Sequence, residues 1–262
     1  MKVKNGFLIF IVAVLITTIG TANASLVSQW KFDENSGTTA SDSADNNPGT
    51  VYNGAGWVSG KFGNALNFNG TSTYVDVGNK TNLNFGATDS FTIAGWIKTT
   101  ALERMIALKM RVSGDGTFYE GYAIGPSQDK LHFWIEDTSG HNTQMLGNTS
   151  VNDNQWHHFA AVRDVSSDKL YLYLDGNLDA TPVTDITTGS LANSQSFWIG
   201  RCPYYGGYFG GGIDDLRIYN QALSQSEIQN LMVPEPATLL LLGSGIIMLR
   251  RKYTKVDFLS TV

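Results

Sequence analysis

The chain has 262 residues, a formal net charge of −5 and a hydrophobic fraction of 42%. This composition suits a globular protein with a full core, and the scattered basic residues do not form the positive stripe that nucleic acid requires. Cys202 is the one cysteine, so an intrachain disulfide is excluded. Stability would therefore come from packing, with or without the help of a metal ion.

The first residues form a pattern typical of a signal peptide. Two lysines precede the apolar run 6–19, and Ala22 and Ala24 then provide a small-x-small cleavage site. We therefore expect residues 1–24 to be removed and the mature protein to begin at Ser25. A retained N-terminal membrane anchor is the alternative, and the cleavage site argues against it.

From residue 25 to residue 232, apolar and polar residues alternate with a period of two, and the breaks are rich in Gly, Asn, Asp and Ser. Phe91, Ile93 and Ile97, for example, share one face of a strand. We predict strands at 28–32, 65–68, 74–77, 91–97, 105–109, 119–124, 131–136, 156–163, 169–174, 197–200 and 212–219. Short strands in this number imply an all-β fold, an antiparallel two-sheet β-sandwich. The tryptophans in or beside these strands are interpreted as core residues: Trp30, Trp57, Trp96 and Trp156.

Two local signals refine this fold. The turn residues 175–177 separate two apolar runs and predict a hairpin, because Gly and Asn accept positive φ at low cost. Ser224 and Glu227 form a capping box, and Ile228 and Leu231 supply the apolar face behind it. One short C-terminal helix is therefore predicted.

Several segments, in this order and spacing, carry a family resemblance. They are 27–37, 60–68, 74–77, 91–96, 156–160, 172–176 and 213–224. Together they resemble the laminin-G-like, concanavalin A-like lectin domain over most of the chain between the two terminal segments. The resemblance implies a jelly-roll β-sandwich over residues 25–232.

This fold hosts sugar binding, protein binding, adhesion and hydrolysis, so function has to be argued from sites. A glycosidase needs two carboxylates that flank one glycosidic bond. The pairs Glu136-Asp137 and Asp214-Asp215 are adjacent in sequence, and adjacent strand residues point to opposite faces. A Gly-x-Ser-x-Gly nucleophile elbow is also missing from the sequence. We therefore predict a binding module without catalytic residues.

A calcium ion is the cofactor that the sequence suggests. Residues 42–49 combine Asp, Asn and Gly, a composition that can place oxygen ligands around Ca²⁺. The family resemblance implies a structural calcium close to the Ile-Asp-Asp strand, with Asp42, Asn46 and Asp214 or Asp215 as ligands. A plain solvated turn with side-chain caps is the alternative.

Residues 204–211 place four aromatic side chains among glycines between two predicted strands. Aromatic rings stack against the apolar faces of sugars, and nearby polar groups bind the hydroxyls. The alternative is that these rings cover the end of the core. The candidate carbohydrate-binding residues are Trp198, Arg201, Tyr204, Tyr205, Tyr208 and Phe209.

The C-terminal part joins three features: Pro234, Glu235 and Pro236, then the apolar run 237–249, then Arg250, Arg251 and Lys252. This order resembles the PEP-CTERM sorting signal over residues 233–252, which implies recognition by a membrane exosortase. As a helix the apolar run reaches only ~20 Å, short of the ~30 Å hydrocarbon core. We expect transient membrane insertion with the basic cluster, and the extension 253–262, on the cytoplasmic side. A permanent anchor or a buried helix is the alternative, which the two prolines disfavour.

We therefore expect an exported, non-catalytic module that binds glycan or exopolysaccharide at the bacterial cell envelope or in the extracellular matrix. Nucleic acid is not an expected partner. A structural or adhesive surface protein that binds another protein is the main alternative, and a glycoside hydrolase is a more distant one.

Overall fold

The structure is a computed structural model that describes residues 25–44, 46–112, 117–203 and 207–234. The first strands are β1 (Leu26–Trp30), β2 (Thr39–Ala40), β3 (Gly49–Tyr52), β4 (Gly56–Ser59), β5 (Asn64–Asn69), β6 (Tyr74–Gly78), β7 (Phe91–Thr99), β8 (Ala107–Val112), β9 (Phe118–Ser127) and β10 (Lys130–Glu136). They are followed by β11 (Asn142–Ser150), β12 (Trp156–Asp164), β13 (Lys169–Leu174), β14 (Asn177–Leu178), β15 (Val183–Thr184), β16 (Phe197–Ile199), β17 (Arg201–Cys202), β18 (Gly207–Tyr208) and β19 (Gly210–Tyr219). A 3₁₀ turn covers Thr81–Leu83, and helix α1 covers Gln225–Asn230.

The strands form two large antiparallel sheets. One has nine strands in the order β14-β13-β12-β7-β19-β5-β4, with β1 paired to β19 and β15 paired to β13. The other has eight strands in the order β11-β10-β9-β8-β16-β6-β3-β2. Strands β17 and β18 form a separate two-stranded hairpin. The predicted all-β, two-sheet sandwich is confirmed.

The main core lies between the two sheets, because alternate residues of each strand point inward. Phe91, Ile93 and Ile97 of β7 are fully buried there, as their shared face predicts, together with Phe133 and Ile135 of β10. Removing one such side chain from water contributes about 1.5–3 kcal/mol.

Helix α1 packs on the outer face of the nine-stranded sheet. Ile228 of the helix joins Ala94, Ala160 and Val162 in a second buried cluster. The predicted capping box is present: Glu227 N donates to Ser224 Oγ, and Ser224 N donates to Glu227 Oε2 at 2.7 Å. The helix therefore covers one part of this outer face, and the loop that carries Lys61 and Phe62 covers another.

The predicted hairpin turn is also confirmed. Leu174 of β13 pairs with Asn177 of β14, so the turn consists of Asp175 and Gly176. Both have positive φ, 48° and 75°, which is the conformation that their residue types favour.

The two predicted targeting segments fall outside the described residues, apart from Val233 and Pro234. This applies to the apolar run 237–249 and to Ala22, Ala24, Glu235, Pro236, Arg250, Arg251 and Lys252. In the part of the chain that the structure describes, no helix is long and apolar enough to cross a membrane.

Candidate functional site

A row of apolar side chains crosses the outer face of the eight-stranded sheet. Trp134 of β10 pairs with Ala123 of β9, Ala123 pairs with Leu108 of β8, and Leu108 pairs with Trp198 of β16. They face outward because their strand neighbours fill the main core. Leu108 and Ala123 are nevertheless fully buried, so another part of the chain covers them.

The cover is the β17–β18 hairpin, which leaves the sheet at Gly200. This residue has a φ of 76°, and a β-carbon at its position would collide with the ring of Phe68. Gly200 N donates to Ile106 O at 2.8 Å, and Phe209 N donates to Gly200 O at 2.9 Å. The second hydrogen bond joins the two ends of the hairpin. Cys202 at the base of the hairpin is buried in the same cluster as Leu108.

One side of the hairpin carries a stack of aromatic rings and a guanidinium group. Arg201 Cζ lies 4.4 Å from the ring centroid of Tyr74 and 6.0 Å from that of Trp198. Tyr74 also stacks on Tyr52, with centroids 4.8 Å apart, and lies 6.2 Å from Tyr208. Arg201 Nε is buried and has no hydrogen-bond acceptor among the described residues. Aromatic faces and a cation therefore meet at this side of the sheet.

The other side of the hairpin borders a groove of about 460 Å³. The residues that shape this hairpin groove are Arg104, Met105, His132, Trp134, Cys202 and Gly207. The rings of His132 and Trp134 are half-buried, with centroids 6.4 Å apart. A β-carbon at Gly207 would lie 2.8 Å from Arg104 Cδ, so glycine lets the arginine lie against the hairpin.

Among the described residues, the acidic and basic side chains that line the hairpin groove are one histidine and one ion pair. Burial lowers the pKa of His132, although its hydrogen bond with Gln144 acts in the opposite direction, so the ring is mainly neutral near pH 7. Arg104 pairs with Glu103 at 3.5 Å, and both side chains are exposed. The groove thus combines an aromatic floor with exposed hydrogen-bonding groups at its edge.

The structure brings together part of the predicted sugar-binding set. Trp198, Arg201 and Tyr208 meet around Tyr74, although Trp198 is only 9% exposed. Tyr204 and Tyr205 lie outside the described residues. The prediction for Phe209 is wrong: it is fully buried in the main core, 6.2 Å from the ring of Phe68.

Sequence reasoning missed His132, Trp134 and Tyr74. The signal was present, since Leu131, Phe133 and Ile135 point inward and leave His132 and Trp134 on the outer face. The sequence did not show that a distant hairpin turns this outer face into a groove.

Two of the predicted calcium ligands, Asp42 and Asp215, are hydrogen-bonded to the same residue, Gln29. Asp42 Oδ1 accepts from Gln29 N at 2.7 Å, while Asn46 is exposed. Both oxygens of Asp215 accept from Arg217, and one also accepts from Gln29 Nε2 at 2.7 Å. Within the described ranges, no group of three or more His, Cys, Asp or Glu residues is placed to hold a metal ion. The carboxylate of Asp215 is thus occupied by protein donors, whereas Asp42 Oδ2 is buried with no hydrogen-bond partner among the described residues, and calcium binding stays a prediction.

Asp214 uses its carboxylate differently from Asp215. Its Oδ2 accepts from the backbone amides of Lys61 and Phe62 at 2.7 and 2.9 Å, whereas its buried Oδ1 has no hydrogen-bond partner in the described part of the chain. Burial raises the pKa of Asp214 to about 7, against the two amide hydrogen bonds, which lower it. Asp214 therefore closes a loop onto the sheet and carries a proton over part of the neutral pH range.

Comparisons with known families give two matches. A model described as the concanavalin A-like lectin/glucanases superfamily matches residues 69–229. A model of the PEP-CTERM protein-sorting motif matches residues 233–252. None of the curated proteins compared with the chain matches it.

Many solved structures share the fold. The binding domain of Paraclostridial Mosquitocidal Protein 1 matches with a TM-score of 0.65 and 16% identity, over 79% of this chain and 52% of that one. Domain 4 of AbnA, a GH43 extracellular arabinanase from Geobacillus stearothermophilus solved with arabinotriose, matches with a TM-score of 0.58 and 20% identity, over 80% and 99% of the two chains. The ligand-binding domain of botulinum neurotoxin serotype D, solved with N-acetylneuraminic acid, matches with a TM-score of 0.60 and 12% identity, over 80% and 52%. This chain thus spans about half the length of the toxin domains.

Proposed function

Because the chain belongs to the concanavalin A-like lectin/glucanase superfamily, we propose that it is an exported, non-catalytic protein that binds carbohydrate in the hairpin groove. The observation that carries this proposal is the half-buried pair of rings, His132 and Trp134, on the floor of a groove of about 460 Å³. A ring that is neither fully buried nor fully exposed offers a flat apolar face to a ligand.

The composition of the groove suits a sugar better than a purely apolar ligand. A pyranose presents one apolar face, which stacks on an aromatic ring, and a rim of hydroxyls that need hydrogen bonds. Trp134 supplies the ring, while Arg104, Glu103 and Ser127 at the edge supply donors and acceptors.

Two of the structures with the same fold were solved with sugars bound, one with arabinotriose and one with N-acetylneuraminic acid. The two proteins are only 20% and 12% identical to this chain in sequence, so the bound sugars are properties of those proteins. They support sugar as a ligand class for this chain and leave the identity of its sugar to experiment.

The proposal favours binding over hydrolysis because one carboxylate of each acidic pair, Asp137 and Asp215, already serves the fold. Asp137 accepts hydrogen bonds from the backbone amides of Ser139, His141, Thr188 and Gly189. Burial raises the pKa of Asp137, but the amide hydrogen bonds lower it by a larger amount. Asp137 therefore stays ionised and cannot donate a proton. Asp215 is paired with Arg217 in a similar manner. Asp214 does hold a proton near neutral pH, but its neighbour Asp215 is paired with Arg217, and a glycosidase needs two carboxyl groups that flank one bond.

The match to the PEP-CTERM motif at residues 233–252 supports export and sorting to the bacterial envelope. The proposal includes exosortase as the partner that recognises this segment. It also includes release of the lectin-like domain into the envelope or the extracellular matrix, where polysaccharide is available as a ligand.

The binding test is a glycan panel that includes arabinotriose, followed by calorimetry of the glycan retained by the wild-type protein. Trp134→Ala should weaken that glycan at least about tenfold, because stacking and burial on one indole are worth ~1.5 kcal/mol or more. The matched control is Tyr171→Ala, which removes a half-buried ring from the opposite sheet and should leave the affinity unchanged.

Equal affinity of the wild type and Trp134→Ala, with both proteins folded by circular dichroism, would place the site elsewhere. A panel without any retained glycan would refute carbohydrate binding itself.

A further inference from the structure

A second groove, of about 580 Å³, lies on the open part of the outer face of the nine-stranded sheet. We call it the Trp156 groove. The side chains that shape it are those of Ser59, Asn67, Lys98, Thr100, Asn154 and Trp156. The hairpin groove is lined by a different set of residues, so the two grooves are separate. Trp156, predicted to be a core residue, is half-buried and faces this groove instead.

Strand register explains how the groove forms. One row of paired residues crosses five neighbouring strands. It runs from Trp156 of β12 through Lys98 of β7 and Gly212 of β19 to Asn67 of β5 and Gly56 of β4. The two glycines leave this cross-strand row hollow. A β-carbon at Gly212 would lie 2.7 Å from Cη2 of Trp156, so the indole lies across the sheet over that glycine.

The polar groups of the row fit a sugar. The amides of Asn67 and Asn154 are exposed, as is the hydroxyl-bearing Ser59, and each can bind a hydroxyl group while the indole supplies the apolar surface.

The charge of the Trp156 groove indicates which class of sugar would bind there. Among the described residues that line it, none is acidic, although the whole chain carries a net charge of −5. Lys98 lines the groove and forms no ion pair with any carboxylate in the described ranges. Asp153, which precedes the lining residue Asn154, instead binds His157 Nε2 at 3.1 Å and the amide of Gln155.

We propose that the Trp156 groove is a second saccharide site, which binds a sugar bearing a carboxylate, such as a uronate. The indole of Trp156 stacks on the sugar ring, and Lys98 pairs with the carboxylate. This site is independent of the hairpin groove, so the protein presents two saccharide sites on opposite sheets and is able to join two chains.

The test uses calorimetry with trimers of galacturonate, guluronate and mannuronate, each compared with its methyl ester, which keeps the shape and removes the charge. Binding of at least one acid trimer, with its ester at least about tenfold weaker, is expected, because a charge-assisted hydrogen bond is worth ~1.5 kcal/mol or more. Lys98→Gln and Trp156→Ala should each weaken the acid trimer to a similar extent, while Lys169→Gln, a lysine on β13 away from the groove, should not.

Trp156→Phe guards against loss of fold, since it keeps a ring and should retain part of the affinity. Trp134→Ala should leave binding of the acid trimer intact, so failure of the hairpin groove and failure of the Trp156 groove can be told apart. Absence of binding by all three trimers, equal binding of acid and ester, or full affinity in Lys98→Gln and Trp156→Ala would each overturn the inference.

Discussion

Asp214 lies in the middle of the outer face of the nine-stranded sheet, where the loop that carries Lys61 and Phe62 closes over it. Its side chain is buried, and one of its two oxygens has no hydrogen-bond partner among the residues that the structure describes. Burial raises the pKa of Asp214 from the ordinary 3.8 to about 7. Between these two values the folded protein holds a proton that the unfolded chain has released, so this group makes stability fall as pH rises through that window.

Asp214→Asn removes this charge while keeping the shape of the side chain. The variant should gain stability relative to the wild type on going from pH 5 to pH 8, by on the order of 2 kcal/mol, since only the wild type must bury a charge at pH 8. Thermal melts of both proteins at the two pH values measure this difference.

The neighbouring acid gives a matched control. Asp215 is already paired with Arg217, so Asp215→Asn should lower the melting temperature at both pH values by breaking a largely buried ion pair. The same change in melting temperature for Asp214→Asn at pH 5 and pH 8 would show that Asp214 titrates normally.

At the scale of elements, the sequence predicts best those strands that are rich in branched and aromatic residues. Strands β7, β10, β12 and β19 are predicted because one or both of their faces are apolar. Strand β11 is missed because it is a polar edge strand, with Thr143 and Met145 among its few buried residues. Propensity carries little information about a strand of that kind, since its pairing with β10 decides its conformation.

The candidate site was less predictable than the fold, because it depends on a contact between distant segments. Alternation alone places Trp134 outside, but the hairpin that makes a groove beside it starts 66 residues later, at Gly200. For the same reason Phe209 was misplaced: the chain returns to the core at this residue, directly after the hairpin.

Gly200 therefore controls where the hairpin lies, and its substitution tests this role. Gly200→Ala should destabilise the protein by about 1 kcal/mol through its left-handed backbone and by a further ~1–3 kcal/mol through overlap with Phe68. Urea unfolding measures both contributions together.

Gly78 provides the comparison, because its φ of 80° is similar but no atom of the described residues lies within 4 Å of a β-carbon built there. Gly78→Ala should thus lose only the backbone contribution. Equal losses for the two variants would mean that the hairpin adapts to a side chain at Gly200.

At the scale of the whole molecule, the folded domain closes just before the sorting motif begins. Helix α1 ends at Asn230, and Pro234 lies against the sheet beside Gln29, Phe62 and Arg217. The core and both grooves are built from residues that precede Pro234. Removal of everything that follows should therefore cost the domain little packing.

This arrangement makes the proposed sorting testable on the full chain. Intact mass spectrometry of protein recovered outside exosortase-containing cells should show a C-terminus within residues 234–236, because the match to the sorting motif begins at residue 233. Replacing Pro234, Glu235 and Pro236 by alanine should leave the protein cell-associated with its C-terminal segment intact.

A chain that ends at Pro234 serves as the folding control, and its melting temperature should equal that of the full chain. Extracellular protein that keeps residues 237–262 would contradict processing by an exosortase, whereas a lower melting temperature of the shortened chain would show that these residues belong to the fold.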